Sequence, residues 1–157
     1  MGLLGFHELK SKLERYCAYQ ERSPFEVKKK LTSFTSDSKQ LDKIMASLIK
    51  EGFLNQERFL ESYVQGKINQ KRWGKSKIKS GLIQHRIPAV LIKKALDNIE
   101  MDKYLNNMTE LAVKKEAALS KQLSPFEKKM KVVRFLYSKG YSINDWQENG
   151  LDRLFPS

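Results

Sequence analysis

The tetrapeptide Ser23-Pro24-Phe25-Glu26 recurs 101 residues further on as Ser124-Pro125-Phe126-Glu127. Each copy is a full helix-start signal. The serine hydroxyl can accept from a free N–H of the first turn, and the glutamate three residues on can reach back to the cap N–H. Proline at the first helical position loses nothing, because its missing donor had no intrahelical partner. Midway between the copies lies Gly74, followed by Lys75-Ser76-Lys77-Ile78, and glycine is an acceptable cap. Other starts fall near His7, Asn55 and Asp102, and near Ser38, Pro88 and Ser142. Gly52-Phe53 closes the first set, and a similar Gly140-Tyr141 pair lies inside the last. This order describes three units of about 50 residues, 1–54, 55–100 and 101–157, each with three helices. A unit that small buries a modest core. Neighbours are therefore expected to stack, or to join through continuous helical packing, into an extended body.

The apolar pattern points the same way. Leu9, Leu13, Tyr16 and Cys17 recur at three-to-four spacing, as do Leu41, Ile44, Met45, Leu48 and Ile49. Phe59 and Tyr63 share a stripe beside Leu60, Val64 and Ile68. Ile78 and Leu82, then Leu91, Ala95, Leu96 and Ile99, continue the series. Tyr104, Leu105, Met108, Leu111 and Ala112 follow, and the last clear stripe is Phe126, Met130, Val133 and Leu136 or Tyr137. There is no Asn-Gly or Asp-Gly hairpin signal and no sustained alternation of period two. The expected class is all-α.

Charge narrows the partners. Thirty Lys+Arg against 18 Asp+Glu give a formal net charge of +12. Between Glu61 and Asp97 there is no acid, and residues 62–96 carry nine of the bases. The remainder holds 21 bases and 18 acids, so most of the excess sits in the middle. A mixed charge run is usually a solvated helix face. A one-sided run repels itself in the folded state and marks a surface that faces an anion. Nucleic acid, a nucleoprotein surface and an anionic membrane all fit net charge alone. No run approaches the roughly 20 apolar residues of a membrane span. Met1-Gly2-Leu3-Leu4-Gly5-Phe6 lacks both a secretory pattern and the Ser or Thr that a myristoylation signal prefers. One cysteine allows no intramolecular disulfide, so a reducing, cytoplasmic setting is the simple expectation. With no coiled-coil seam or apolar dimer face, so is a monomer.

Catalytic constellations are lacking. His7, His85 and the lone Cys17 have no metal-ligand spacing. Neither phosphate-loop nor dinucleotide glycine pattern is present. Gly74-Lys75-Ser76 has the tail of a phosphate loop but neither its upstream glycine nor its strand. Glu57 and Glu61 sit at helical spacing, the ordinary arrangement of exposed helix charges. No enzyme activity and no cofactor are expected.

The segment Lys71-Arg72-Trp73-Gly74-Lys75-Ser76-Lys77-Ile78-Lys79 sets an indole among five bases. Trp73 offers a face for base stacking or cation–π contact, or it anchors the turn into the core. Lys75 and Lys79 share one helical stripe. Any three-helix unit also suggests a helix-turn-helix reader. The helix that would read bases, near 88–98, offers Lys93 and Lys94 but no Asn, Gln or Arg cluster.

Nearly the whole chain, most strongly residues 48–96, resembles the RecX family of bacterial regulatory proteins. The residues that carry the likeness are Glu21-Arg22-Ser23 leading into a basic helix to Leu31, and Leu48-Ile49-Lys50-Glu51-Gly52-Phe53-Leu54-Asn55-Gln56-Glu57-Arg58-Phe59. Arg72-Trp73-Gly74 with Ile78 and Leu82, then Ile87 and Ala95-Leu96, complete it. Asn55 and Gln56 stand where the family usually has acids, and Leu60 where a small residue is usual. The third unit is less recognisable. The resemblance implies three tandem three-helix repeats in a curved, elongated body. It also implies binding to RecA or along the RecA–single-stranded-DNA filament, with suppression of ATP hydrolysis and strand exchange. Direct DNA contact stays open, and a nucleic-acid-binding module acting without RecA is the alternative. The expected contact surface comprises Lys67, Lys71, Arg72, Trp73, Lys75, Lys77, Lys79, Arg86, Lys93 and Lys94.

Overall fold

Helix-start chemistry and apolar spacing produce nine α-helices and no strand among the described residues, 5–156 of the computed structural model. They are α1 Phe6–Tyr19, α2 Pro24–Thr32, α3 Ser38–Lys50, α4 Gln56–Gly66, α5 Lys75–Gln84, α6 Ala89–Asp97, α7 Met101–Ala117, α8 Pro125–Ser138 and α9 Ile143–Glu148. A π-helical turn, Lys67–Lys71, prolongs α4, and a 3₁₀ turn, Leu151–Leu154, follows α9. The N-terminal hexapeptide discussed above lies mostly outside the described residues. The fold is an all-α array of helical repeats. Asp37 caps α3 by accepting from Lys39 and Gln40 N–H. Asn55 Oδ1 accepts from Arg58 N–H at 3.0 Å. Ser142 and Asp145 form a reciprocal capping box on α9.

The chain divides into two compact units, Met1–Tyr63 and Val64–Ser157, with the division inside α4.

In the first unit, α1, α2 and α3 close around Leu9, Leu13, Cys17, Val27, Leu31, Leu41, Ile44, Leu48 and Leu54. Each such aliphatic, fully buried, contributes about 1.5–3 kcal/mol, so this cluster outweighs any single cap. Arg22 ties the α1–α2 corner: its Nε donates to Tyr16 O at 2.9 Å and its guanidinium lies 3.8 Å from the Tyr16 ring centroid. Arg58 pairs with Glu21 at 2.5 Å and donates to Gly52 O at 2.8 Å. Gly52 stands at φ +80° just past α3, where a Cβ would be strained.

In the second unit, α7 packs along α8 and α5 against α6. Ile68, Ile78, Leu82, Ile92, Tyr104, Met108, Val132, Leu136, Trp146 and Leu151 fill its interior. Two apolar stripes differ from the sequence expectation. On α8 the buried residues are Val132 and Leu136, while Phe126 is 71% exposed and Tyr137 78%. The helix carries two apolar faces about one residue apart, so periodicity alone offers both. Packing on α7 selects the one containing Val132. On α6 the buried residue is Ile92, with Leu91, Ala95 and Leu96 only half-buried.

Candidate functional site

The basic segment is shaped by an abrupt turn. At the end of the π-helical turn, Arg72 adopts the left-handed conformation, φ 54°. The N–H groups of both Arg72 and Trp73 donate to Lys67 O. A widened turn leaves carbonyls without their usual helical donor. One of them, Ile68 O, accepts from Nδ2 of the buried Asn107 at 2.9 Å. The turn sets Trp73 half-buried, with Lys67 Nζ 4.5 Å and Lys77 Nζ 4.7 Å from its ring centroid. The indole is thus both an anchor of the turn and the centre of a cation-rich surface.

The start of α5 is held from far along the chain. Gly74 N–H donates to Lys139 O at 2.7 Å and Ser76 N–H to Gly140 O at 3.1 Å. Lys75 N–H donates to the Tyr104 hydroxyl at 2.9 Å. That hydroxyl donates to Asp145 Oδ2 at 2.8 Å, which also accepts Ser142 N–H at 3.0 Å. The starts of α5 and α9 are therefore joined through one phenol. Tyr141 OH donates to Arg72 O at 2.8 Å. Burial pushes the hydroxyls of Tyr104 and Tyr141 far above the ordinary tyrosine range, so both remain protonated donors. Gly74 and Gly140 cross backbone to backbone: a Cβ on Gly74 would stand 2.2 Å from Gly140 C. These bonds use the first free N–H groups of α5, so Gly74-Lys75-Ser76 has no amides left to cradle a phosphate.

The ten residues expected at the contact surface are placed in different ways. Lys67, Trp73 and Lys77 converge as described. Lys71, Lys79 and Lys94 are exposed and make no ion pair among the described residues. Arg72 and Lys93 already have carboxylate partners: Arg72 meets Glu110 at 2.8 Å and Lys93 meets Asp97 at 2.7 Å. The Lys93 hydrogen bond holds the Asp97 carboxyl below its ordinary range. Lys75 Nζ lies 5.6 Å from the Tyr104 ring centroid. Arg86 is left-handed at φ 59° just past α5 and belongs to the helix stop, with its own N–H on Ile83 O and Ile87 N–H on Leu82 O. The surface is thus denser around Trp73 and thinner along α6 than a charge count suggests.

Sequence reading passed over a second concentration of charge. Residues 113–141 hold eight bases and two acids. Counting acids over this window would have found it. In the structure Lys128 meets Glu116 at 3.7 Å and Lys129 meets Asp152 at 2.8 Å, while Lys115 and Lys139 lie over the Phe135 ring. Lys114, Lys121, Lys131 and Arg134 remain exposed. The polar links made by Tyr104, Asn107 and Asp145 across the unit were also missed, because those links span 29 to 41 residues.

The arrangement can bind anions. Among the described residues no cluster of His, Cys, Asp or Glu could hold a metal ion. Cys17 is buried, and that burial raises its thiol pKa. Glu57 and Glu61 are both exposed on α4. No helix among the described residues is long and apolar enough to cross a membrane.

Comparison with known proteins adds the family. The description "RecX, second three-helix domain" matches residues 55–96, and "RecX, third three-helix domain" matches residues 102–145. A protein named regulatory protein RecX from Lactococcus lactis subsp. lactis is 29% identical over 139 residues, 87% of this chain and 52% of the relative. Its namesake from Clostridium tetani is 32% identical over 121 residues, 76% of this chain and 55% of the relative. The chain spans about half the length of the curated relatives it matches. The crystal structure of RecX from Lactobacillus salivarius superposes with a TM-score of 0.80 at 23% identity, covering 94% of this chain and 95% of that one. At that identity the structural match speaks for the fold, and the two domain matches together take in more than half of the residues. Helix order, Trp73 turn and sequence relatives lead to one conclusion: the chain belongs to the RecX family.

Proposed function

We propose that this chain is a non-enzymatic regulator that binds the RecA–single-stranded-DNA filament in the cytoplasm and lowers its ATPase, recombinase and filament-extension activities. The observation that carries the reading is the Trp73 surface. An indole flanked by Lys67 and Lys77, with Lys71 and Lys79 exposed nearby in an acid-free stretch, suits a filament that presents phosphate and acidic protein surface together. Each repeat offers its own face, so modest contacts to successive protomers add as avidity. Binding alone then suffices to hold one filament state over another. The test is DNA-stimulated ATP hydrolysis by RecA, titrated with this protein while single-stranded DNA is kept in large excess. Inhibition well below one protein per RecA supports the reading, since DNA sequestration cannot produce it. An unchanged rate through equimolar protein overturns it. Reversing charge at Lys71, Lys75 and Lys79 together should weaken filament binding, and full binding by that folded variant at moderate salt would remove the basic surface from the mechanism.

A second reading, a nucleic-acid module acting without RecA, is favoured by the same indole and lysines. It predicts a steep salt dependence on naked DNA. It also predicts little sequence preference, because the outward face of α6 carries Val90, Lys93 and Lys94 rather than base-reading amides.

A further inference from the structure

The second unit holds a groove of about 530 Å³ between α5 and α6 that the Trp73 surface does not explain. Its floor is aliphatic: Ile83, Ile87, Ile92 and Leu96. Its rim is charged: Lys75 and Lys79 on α5 face the Lys93–Asp97 pair on α6. Ile83 is 54% exposed although Ile78 and Leu82 of the same helix are fully buried. A sugar-phosphate backbone has no aliphatic side chain to lay on such a floor, and without one the exposed apolar area stays in water. The rim adds a direction. Lys93 is already matched by Asp97, whereas Lys79 makes no ion pair among the described residues. Unmatched positive charge therefore runs along the α5 side.

Floor and rim together specify one occupant. Resting on the filament reading above, we infer that the groove docks an acidic amphipathic segment of a filament protomer. Two or three of its aliphatic or aromatic side chains lie on Ile83, Ile92 and Leu96, and its carboxylates lie along Lys75 and Lys79. The groove then supplies protein recognition, and the neighbouring Trp73 surface remains available for phosphate and base.

The experiment separates the two by a neutral change in the floor. Ile83 is half in water, so Ile83→Gln keeps the helix and the charge. Binding of the wild type, Ile83→Gln, Ile83→Leu and Lys79→Glu is measured on RecA filaments and on naked single-stranded DNA at one salt concentration. Circular dichroism confirms that each variant is folded. Ile83→Gln should raise the filament Kd about tenfold, the loss expected for one buried aliphatic anchor. Its Kd for naked DNA should stay unchanged, and Ile83→Leu should behave as the wild type. Filament binding retained by Ile83→Gln but lost by Lys79→Glu would overturn the groove while leaving the filament reading intact. Equal losses on naked DNA and on filaments would overturn it too, by giving the groove to nucleic acid. Absence of any filament binding by the wild type would end the filament reading itself, and the groove proposal with it.

Discussion

Helices α2 and α5 are nearly equal in length, nine and ten residues, and each begins at a small residue, Ser23 or Gly74. Their beginnings are secured in opposite ways. At α2 everything needed lies within four residues: Ser23 Oγ accepts Glu26 N–H at 3.1 Å and Glu26 Oε1 accepts Ser23 N–H at 3.0 Å. At α5 no side chain of the segment caps the helix. Its donors reach Tyr104, Lys139 and Gly140 instead. A local cap stabilises a helix before any tertiary contact exists. A remote cap stabilises it only within a finished unit, and in return fixes the helix relative to its neighbours. The helix that carries Lys75, Lys77 and Lys79 is of the second kind, so the geometry of the basic surface is a property of the whole second unit.

That contrast can be broken at its remote end first. Gly74→Ala places a Cβ against Gly140 backbone that cannot move aside, and should cost about 4 kcal/mol or more, the range reserved for strain and overpacking. Both tryptophans, Trp73 and Trp146, lie in the second unit. Their fluorescence should therefore report an early transition while part of the far-ultraviolet helical signal survives to higher denaturant. A single coincident transition at the wild-type midpoint would refute the crossing. Tyr104→Phe comes next. It removes the acceptor of Lys75 N–H and the donor to Asp145 from a buried site, and should cost about 1–3 kcal/mol in the tryptophan-detected transition.

The two identical tetrapeptides sharpen the comparison at its local end. Ser23 is wholly buried, and Arg22 lies 3.8 Å from Glu26. Ser124 is exposed and its hydroxyl accepts Glu127 N–H at 3.2 Å. Ser23→Ala should cost about 1–2 kcal/mol and Ser124→Ala about 0.5 kcal/mol, the two ends of the range for lost caps. Equal costs in urea titrations would show that context adds nothing to the tetrapeptide. The smallest effect is on pH. The hydroxyls of Tyr104 and Tyr141 have folded pKa values raised by burial, against an ordinary value of 10.0. Their contribution is complete below that value and is lost as the pH rises beyond it. The tryptophan-detected midpoint should hold to about pH 10 and then fall, less steeply in Tyr104→Phe.

These cases also show what a sequence makes legible. The class, the helix starts at Ser23, Asn55 and Ser142, and the buried Ile78–Leu82 stripe all rest on residues within a turn or two of one another. Periodicity fails on α8, where Phe126, Met130 and Val133 look as good a core face as Val132 and Leu136, and only the partner α7 decides. The basic surface was legible as a count. Its composition was not, because Glu110 and Asp97, the partners of Arg72 and Lys93, lie outside the acid-free interval. The role of Tyr104 has no local signature at all, since its partners stand 29 and 41 residues away.

The Gly74–Gly140 crossing has a consequence for synthesis. The core of the first unit comes from residues 9 to 54, so that unit can close soon after they leave the ribosome. Domains generally fold as units, amino-terminal first. The start of α5 must wait for a strand of chain 66 residues downstream, and such distant contacts are slow to form. During that interval the bases of residues 67–94 are displayed on an unfinished scaffold beside a cell full of polyanions. The final shape of that basic surface arrives only when Gly140 does.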